Sequence, residues 1–233
     1  MFHSRRLSRS VGLIVISFLV LVGNTFGQDK SHGASAREKR AMQELARKFV
    51  ERLLQTNDVT PAMSEFGSAD AGECLVKLFN EYPEYGALKL SGPELIRFLA
   101  AHANFAYLEF ITGDGTRMRA IPEELHTQYS DAYKRISGDD DQNHDRTRLF
   151  NALGELEKIE REVRDYLHSH PVKLTKIDQA SYHVESSPDD AICTPPGYPA
   201  KSVYMVETPV GLILLMSREG ADYKVVMAAP NVD

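Results

Sequence analysis

The run Gly211-Leu-Ile-Leu-Leu-Met216 constrains this chain more than any other stretch. A strand with one face in water alternates apolar and polar residues, and this run has no polar position to turn outward. It predicts a strand covered on both faces, so the remaining residues must supply the covers. Around it the pattern is β-rich. Val172–Ile177 alternates, and Ala180–Glu185, Ser202–Glu207 and Tyr223–Ala228 read as further strands, separated by turn residues such as Thr208-Pro209 and Ser217–Asp222.

Ahead of residue 171 the period changes from two to three and four. Met42, Leu45, Ala46, Phe49, Val50, Leu53 and Leu54 form a helical stripe that Asn57-Asp58 breaks. Thr60-Pro61 then reads as a cap with proline at the first helical position of a short helix ending at Phe66. Asp70…Glu73 and Ser91…Glu94 have capping-box spacing, the second opening a stripe of Leu95, Ile96, Leu99, Ala103 and Ala106. Pro122 opens a helix with Leu125, Tyr129, Ala132 and Ile136 on one face. Leu149, Leu153, Leu156, Ile159, Val163 and Leu167 define the longest helix, which stops before Pro171. The fold class expected is α+β, a helical N-terminal two-thirds packed on a mostly antiparallel C-terminal sheet of four or five strands.

The first 27 residues read differently. Arg5, Arg6 and Arg9 precede an apolar run from Val11 to Gly23, followed by small residues at Thr25 and Gly27. The run falls short of the ~20 residues a spanning helix needs, so the segment reads as a cleaved signal peptide, an uncleaved membrane anchor being the alternative. That leaves a flexible lead-in at 28–35, a helical region at 36–170 and a β-rich region at 171–233, the last two forming one domain or two. The expected location is periplasmic or secreted, with no stable membrane span after cleavage. Three of the 27 basic residues and none of the 33 acidic ones lie in the leader, so the rest carries 24 basic against 33 acidic, a formal −9. That balance disfavours nucleic acid, whose phosphates call for a clustered basic face. Cys74 and Cys193 are a disulfide candidate in an oxidising compartment, two free thiols being the alternative.

The motifs carry little chemistry. Asp139, Asp141, Asn143 and Asp145 match the alternating oxygen ligands of a calcium loop. His144 stands where the loop's sharp turn wants Gly, and Phe150 where a bidentate Glu should close the shell. An acidic linker favouring the next helix's N-terminus accounts for the same residues. His168 and His170 are spaced i, i+2 at a helix end, which points them apart unless the helix has ended, and His183 follows in a strand. A cation at the helix C-terminus explains them better than zinc does. Gly-x-Ser-x-Gly is absent, Gly113-Asp114-Gly115 reads as a turn, and Glu123-Glu124 suits a helix start. His102 sits one step off its stripe, a position to face a cavity together with Tyr107 and Glu109, and a satisfied interfacial histidine is the favoured reading over a catalytic one. No cofactor is expected, and no catalytic residue is assigned.

Ala46–Phe66, a helix ending in a polar-Asp step before a short helix with an aromatic, resembles the opening of the nuclear-transport-factor-like (SnoaL-like) α+β cone. Gly211–Met227 is similar to that family's last two strands, while the helical block 70–170 departs from it. The resemblance implies a cone-shaped pocket between helix and sheet, used by relatives for small apolar ligands or for pairing with proteins. It transfers no functional residue. The function expected is a non-enzymatic exported binding or interaction module, its partner a protein or a small apolar ligand. The alternatives are a small-molecule hydrolase or isomerase with a helix–sheet pocket, and a disulfide-stapled envelope component.

Overall fold

The computed structural model describes residues 34–80, 88–112, 121–137, 145–171, 182–186 and 203–231. The leader, the strand expected at Val172–Ile177, Cys193, the Cys74 side chain and acidic-loop residues 139–144 lie outside them. Six helices precede four strands among the described residues: α1 Ala36–Thr56, α2 Val59–Phe66, α3 Ala71–Asn80, α4 Gly92–Thr112, α5 Glu123–Ser137, α6 Arg146–Ser169, then β1 His183–Ser186, β2 Tyr204–Glu207, β3 Leu212–Glu219 and β4 Asp222–Pro230. The protein is α+β, its helical part lying over a C-terminal antiparallel sheet. None of these helices is long and apolar enough to cross a membrane.

Local chemistry sets the helix ends. Ser35 and Glu38 close a capping box on α1, and Asn57 ends it in the left-handed region at φ 50°, its N–H bonded to Leu53 O. The cap of α2 is Asp58, not Thr60. Its Oδ1 accepts from Thr60 N at 2.9 Å, and Pro61 falls at the third helical position. A carboxylate satisfies the orphan N–H groups better than a threonine hydroxyl, so the cap moved two residues back. Ser91 N and Oγ both donate to Glu94 at the start of α4, as the spacing predicts. Asp145 caps α6 through Thr147 N at 2.8 Å.

Four consecutive residues of α4, Ala101, His102, Ala103 and Asn104, are all buried. Four positions sweep most of a helix's circumference, so the middle of α4 has no solvent face. On one side it packs on β3 and β4, on the other on α6. Helices α5 and α6 run antiparallel, with Arg135 paired to Glu155 and Tyr129 reaching Glu160. Helix α1 lies against β1, β2 and β4. Near the α3–α4 crossing the backbones almost touch. A Cβ added to Gly92 would sit 3.1 Å from the Gly72 backbone, so glycine is needed there.

The strands form a meander in the order β1-β2-β3-β4, each pair antiparallel. Leu212, Ile213, Leu214, Leu215 and Met216 are all buried, so β3 is covered on both faces as its composition demands. Gly220 at φ 62° opens a two-residue turn to β4, tighter than the Ser217–Asp222 turn expected. The register slips between Leu215 and Met216, leaving Val226 of β4 as a bulged extra residue. On the far edge of β4, Ser68 N donates to Val225 O at 2.8 Å. A single cluster of buried side chains runs from Met42 of α1 to Ala229 of β4.

Leu214, fully buried at the centre of β3, measures this packing. Leu214→Ala should cost about 2–5 kcal/mol of unfolding free energy in urea. A loss below about 1 kcal/mol would mean that one face of β3 is open.

Candidate functional site

The most polar place in the core grows from the α1–α2 turn. Asn57 Oδ1 accepts from Tyr107 OH at 2.9 Å. Next to it, Asp58 Oδ1 accepts from Asn104 Nδ2 at 3.3 Å, and Asp58 Oδ2 lies 3.5 Å from Arg164 Nη1. The same Nη1 is 3.4 Å from Glu160 Oε2, which also accepts from Asn104 Nδ2 at 3.4 Å. Glu160 Oε1 accepts from Tyr129 OH at 3.4 Å. Asn104 completes its bonding by accepting from Val59 N at 2.7 Å through Oδ1. Side chains of α4, α5 and α6 thus converge on the Glu160 carboxyl, and Asn104 and Arg164 tie it to Asp58 of the turn.

Burial dominates the electrostatics. Glu160 is 2% exposed, and desolvation pushes its pKa up to about 7; Arg164 opposes the rise and Asp58 adds to it. The Tyr129 hydroxyl is pushed far above the usual phenol value, first by burial and then by the negative field of Glu160. A carboxyl that exchanges its proton near neutrality suits acid–base chemistry. Here both of its oxygens already face protein donors.

A second buried group is His102, whose Nδ1 lies 2.8 Å from Tyr133 OH, with the Phe98 ring edge-on at 4.5 Å. It is a satisfied histidine between two helices, as the favoured reading has it, while its grouping with Tyr107 and Glu109 is corrected. It points toward α5, Tyr107 serves Asn57, and Glu109 pairs with His126 at 2.8 Å. Burial alone lowers the His102 pKa to about 4, so the ring is neutral in the folded protein.

The histidines at the end of α6 and in β1 make separate local contacts. His170 ends α6, stacked on Tyr166 at 4.2 Å, and His168 lies in the helix's last turn. His183 of β1 pairs with Glu185 at 3.3 Å. Among the described residues no three His, Cys, Asp or Glu side chains are grouped to hold a metal ion. The Cys74–Cys193 pairing and most of the acidic loop fall outside the described residues, and Asp145, at that loop's end, serves as the α6 cap.

The apolar feature of note is a small half-open seam where the helices meet the β4 bulge. Val59, Met63, Leu75, Ile96, Leu99, Ala100 and Val226–Ala228 line a cavity of about 10 Å³. Met63, Ile96, Leu99 and Ala100 at its rim are half-buried. Val59 belongs to both features: its N–H is held by Asn104, and its side chain lines the seam.

Sequence reasoning missed Glu160, Asn104 and Arg164. The signal for Glu160 was present: it lies four residues after Leu156 and three before Val163, on the apolar stripe itself, while Ile159 is only half-buried. A carboxyl on an apolar stripe has to find a partner inside. Arg164, four residues on, is that partner.

Asn104→Leu would leave Val59 N unpaired and take a donor from both carboxyls, so it should cost about 1–3 kcal/mol or more in urea unfolding. A neutral outcome would mean that these bonds add nothing. The stabilisation from keeping His102 neutral is fully present above pH 6.5 and is lost as pH falls toward about 4, because the unfolded chain takes up the proton first. Relative to His102→Gln, the wild type should therefore lose roughly 3 kcal/mol between pH 6.5 and 4. Parallel pH profiles would show that His102 is accessible to protons in the folded state. No family model, curated protein or solved structure matches this chain, and the resemblance of residues 46–66 and 211–227 to the nuclear-transport-factor-like cone rests on the sequence alone.

Proposed function

We propose that this chain is an exported, non-enzymatic binding module that seats an apolar side chain of a partner protein in the seam between α2, α3, α4 and β4. The observation that carries the reading is the seam itself, a half-open apolar depression at a strand bulge, rimmed by half-buried Met63, Ile96 and Leu99. Bulges recur beside binding sites because they break the ladder and re-aim side chains. A thioether at the rim adapts to varied partners. The seam's size suits the tip of one aliphatic side chain rather than a multi-ring ligand. It also lies between helix and sheet, where the resemblance puts a pocket. Export is supported by the basic, apolar and small segments of residues 1–27, and the acidic remainder argues for protein rather than nucleic acid.

A second reading, a hydrolase or isomerase, draws on the proton affinity of Glu160 near neutrality. Against it stand the 2% exposure of that residue and the neighbours Asn104, Tyr129 and Arg164 already on its oxygens.

The test is a methyl-detected NMR titration with N-acetyl-leucine methylamide. Shifts confined to Met63, Ile96 and Leu99 are expected, curving toward saturation only at the highest concentrations, with a dissociation constant on the order of 0.1 M or weaker for one buried methyl group. Ala100→Leu should fill the seam and abolish them. Shifts that show no curvature, that scatter over other methyls, or that persist in Ala100→Leu would remove the seam as the recognition element.

A further inference from the structure

Asp58 and Glu160 share one cation. Arg164 Nη1 is 3.5 Å from the first and 3.4 Å from the second, and Asn104 Nδ2 spans the same two carboxyls at 3.3 and 3.4 Å. One guanidinium neutralises one carboxylate, so a second negative charge in this buried place has no counter-charge of its own. Geometry agrees. Arg164 stands 3.4 Å from Glu160 and 3.5 Å from Asp58, longer than the about 2.7–2.9 Å of a charge-assisted bond, so neither carboxyl has the cation to itself. The same cluster holds the start of α2. Asp58 caps that helix and Asn104 binds its first N–H, while Val59 and Met63 of α2 line the seam.

We propose that Asp58, Arg164, Glu160 and Asn104 form a proton-operated latch that sets how firmly the N-terminus of α2, and with it one wall of the seam, is held. With Glu160 protonated, Arg164 serves Asp58 and the cap is firm. With Glu160 ionised, the two carboxylates compete for Arg164 and repel each other across Asn104, and the turn loosens. The link to partner binding rests on the seam reading; the latch itself does not.

Charged, titratable and polar groups from four elements surround Glu160. Asp58 comes from the turn, Asn104 from α4, Tyr129 from α5, and Arg164 and Glu157 from α6, Glu157 being paired with Arg97. Glu109 acts at one remove through Tyr129 and is paired with His126. Burial, then Asp58, holds the proton on Glu160 until about pH 7. Its folded pKa is raised, so the folded state is favoured most below the unfolded value near 4.5 and loses that advantage as pH rises through 7. His102 titrates in the opposite sense over nearly the same range, so the two contributions oppose each other in the wild type. The latch is read as a difference.

Three measurements on the full folded chain test it. The Glu160 side-chain carboxyl carbon, followed by NMR, should titrate with a midpoint near pH 7, and Asp58→Asn should lower that midpoint. The unfolding constant of the wild type relative to Glu160→Gln should shift on the order of 100-fold toward unfolding between pH 4.5 and 7.5. Amide exchange at Val59–Phe66, corrected for base catalysis, should rise over this range in the wild type and stay level in Glu160→Gln. A midpoint below pH 5, no change with Asp58→Asn, or equal exchange in both proteins would each overturn the latch. None of these readouts involves a ligand, so a failed leucine titration with a neutral midpoint would remove the seam and leave the latch standing.

Discussion

The enclosure of the middle of α4 is the constraint on which the other features rest. A helix with no solvent face in its middle needs two covering layers, and here the sheet supplies one and the α5–α6 pair contributes to the other. Apolar side chains meet that demand readily. Polar ones carried into the same turn do not, and α4 brings in both His102 and Asn104. Each must be matched from a neighbouring element, because an unpaired buried polar group costs more than a paired one contributes. Tyr133 answers His102, while the α1–α2 turn and α6 answer Asn104. The polar core is therefore a consequence of the layer order.

This makes the two buried titrating groups opposites on one scaffold. Burial discharges both, taking the proton from His102 and leaving it on Glu160. A core that accepts a neutral imidazole and a neutral carboxylic acid is at ease in mildly acidic to neutral solution. It resists change there because the two proton balances offset each other. The shared Arg164 breaks the symmetry. His102 has only aromatic and phenolic company, whereas Glu160 is tied through a cation to the cap of a helix that borders the apolar seam. Of the two groups, only Glu160 is joined through a charged partner to an element that borders the seam.

Much of the architecture was legible from pattern alone. The Leu212–Leu215 run announced a doubly covered strand, and the stripes of α1, α5 and α6 fell where periodicity placed them. Expectations failed where a tertiary partner decided. Asn57-Asp58 ends α1 as read, but Asp58 is also the cap of α2 and a salt-bridge arm; Thr60-Pro61 read as that cap and lies inside the helix. His102 was placed beside Tyr107 and Glu109 because a stripe shows which side is buried, not which neighbour lies beyond it. Arg164 and Asn104 gave no local sign, since their meaning depends on a turn and a helix far away in sequence. The bulge at Val226 is likewise a matter of register between two strands, which no single segment encodes.

If α4 does join sheet and helical pair into one body, then α6 and β3 should not open independently. Native-state hydrogen exchange measures this directly, residue by residue. The slowest amides of α4, of α6 around Leu156, and of β3 around Leu214 should share a single opening free energy equal to that of global unfolding. An opening of α6 several kcal/mol easier than that of β3 would contradict the account, since the helical pair would then be an appendage rather than the second wall of the core.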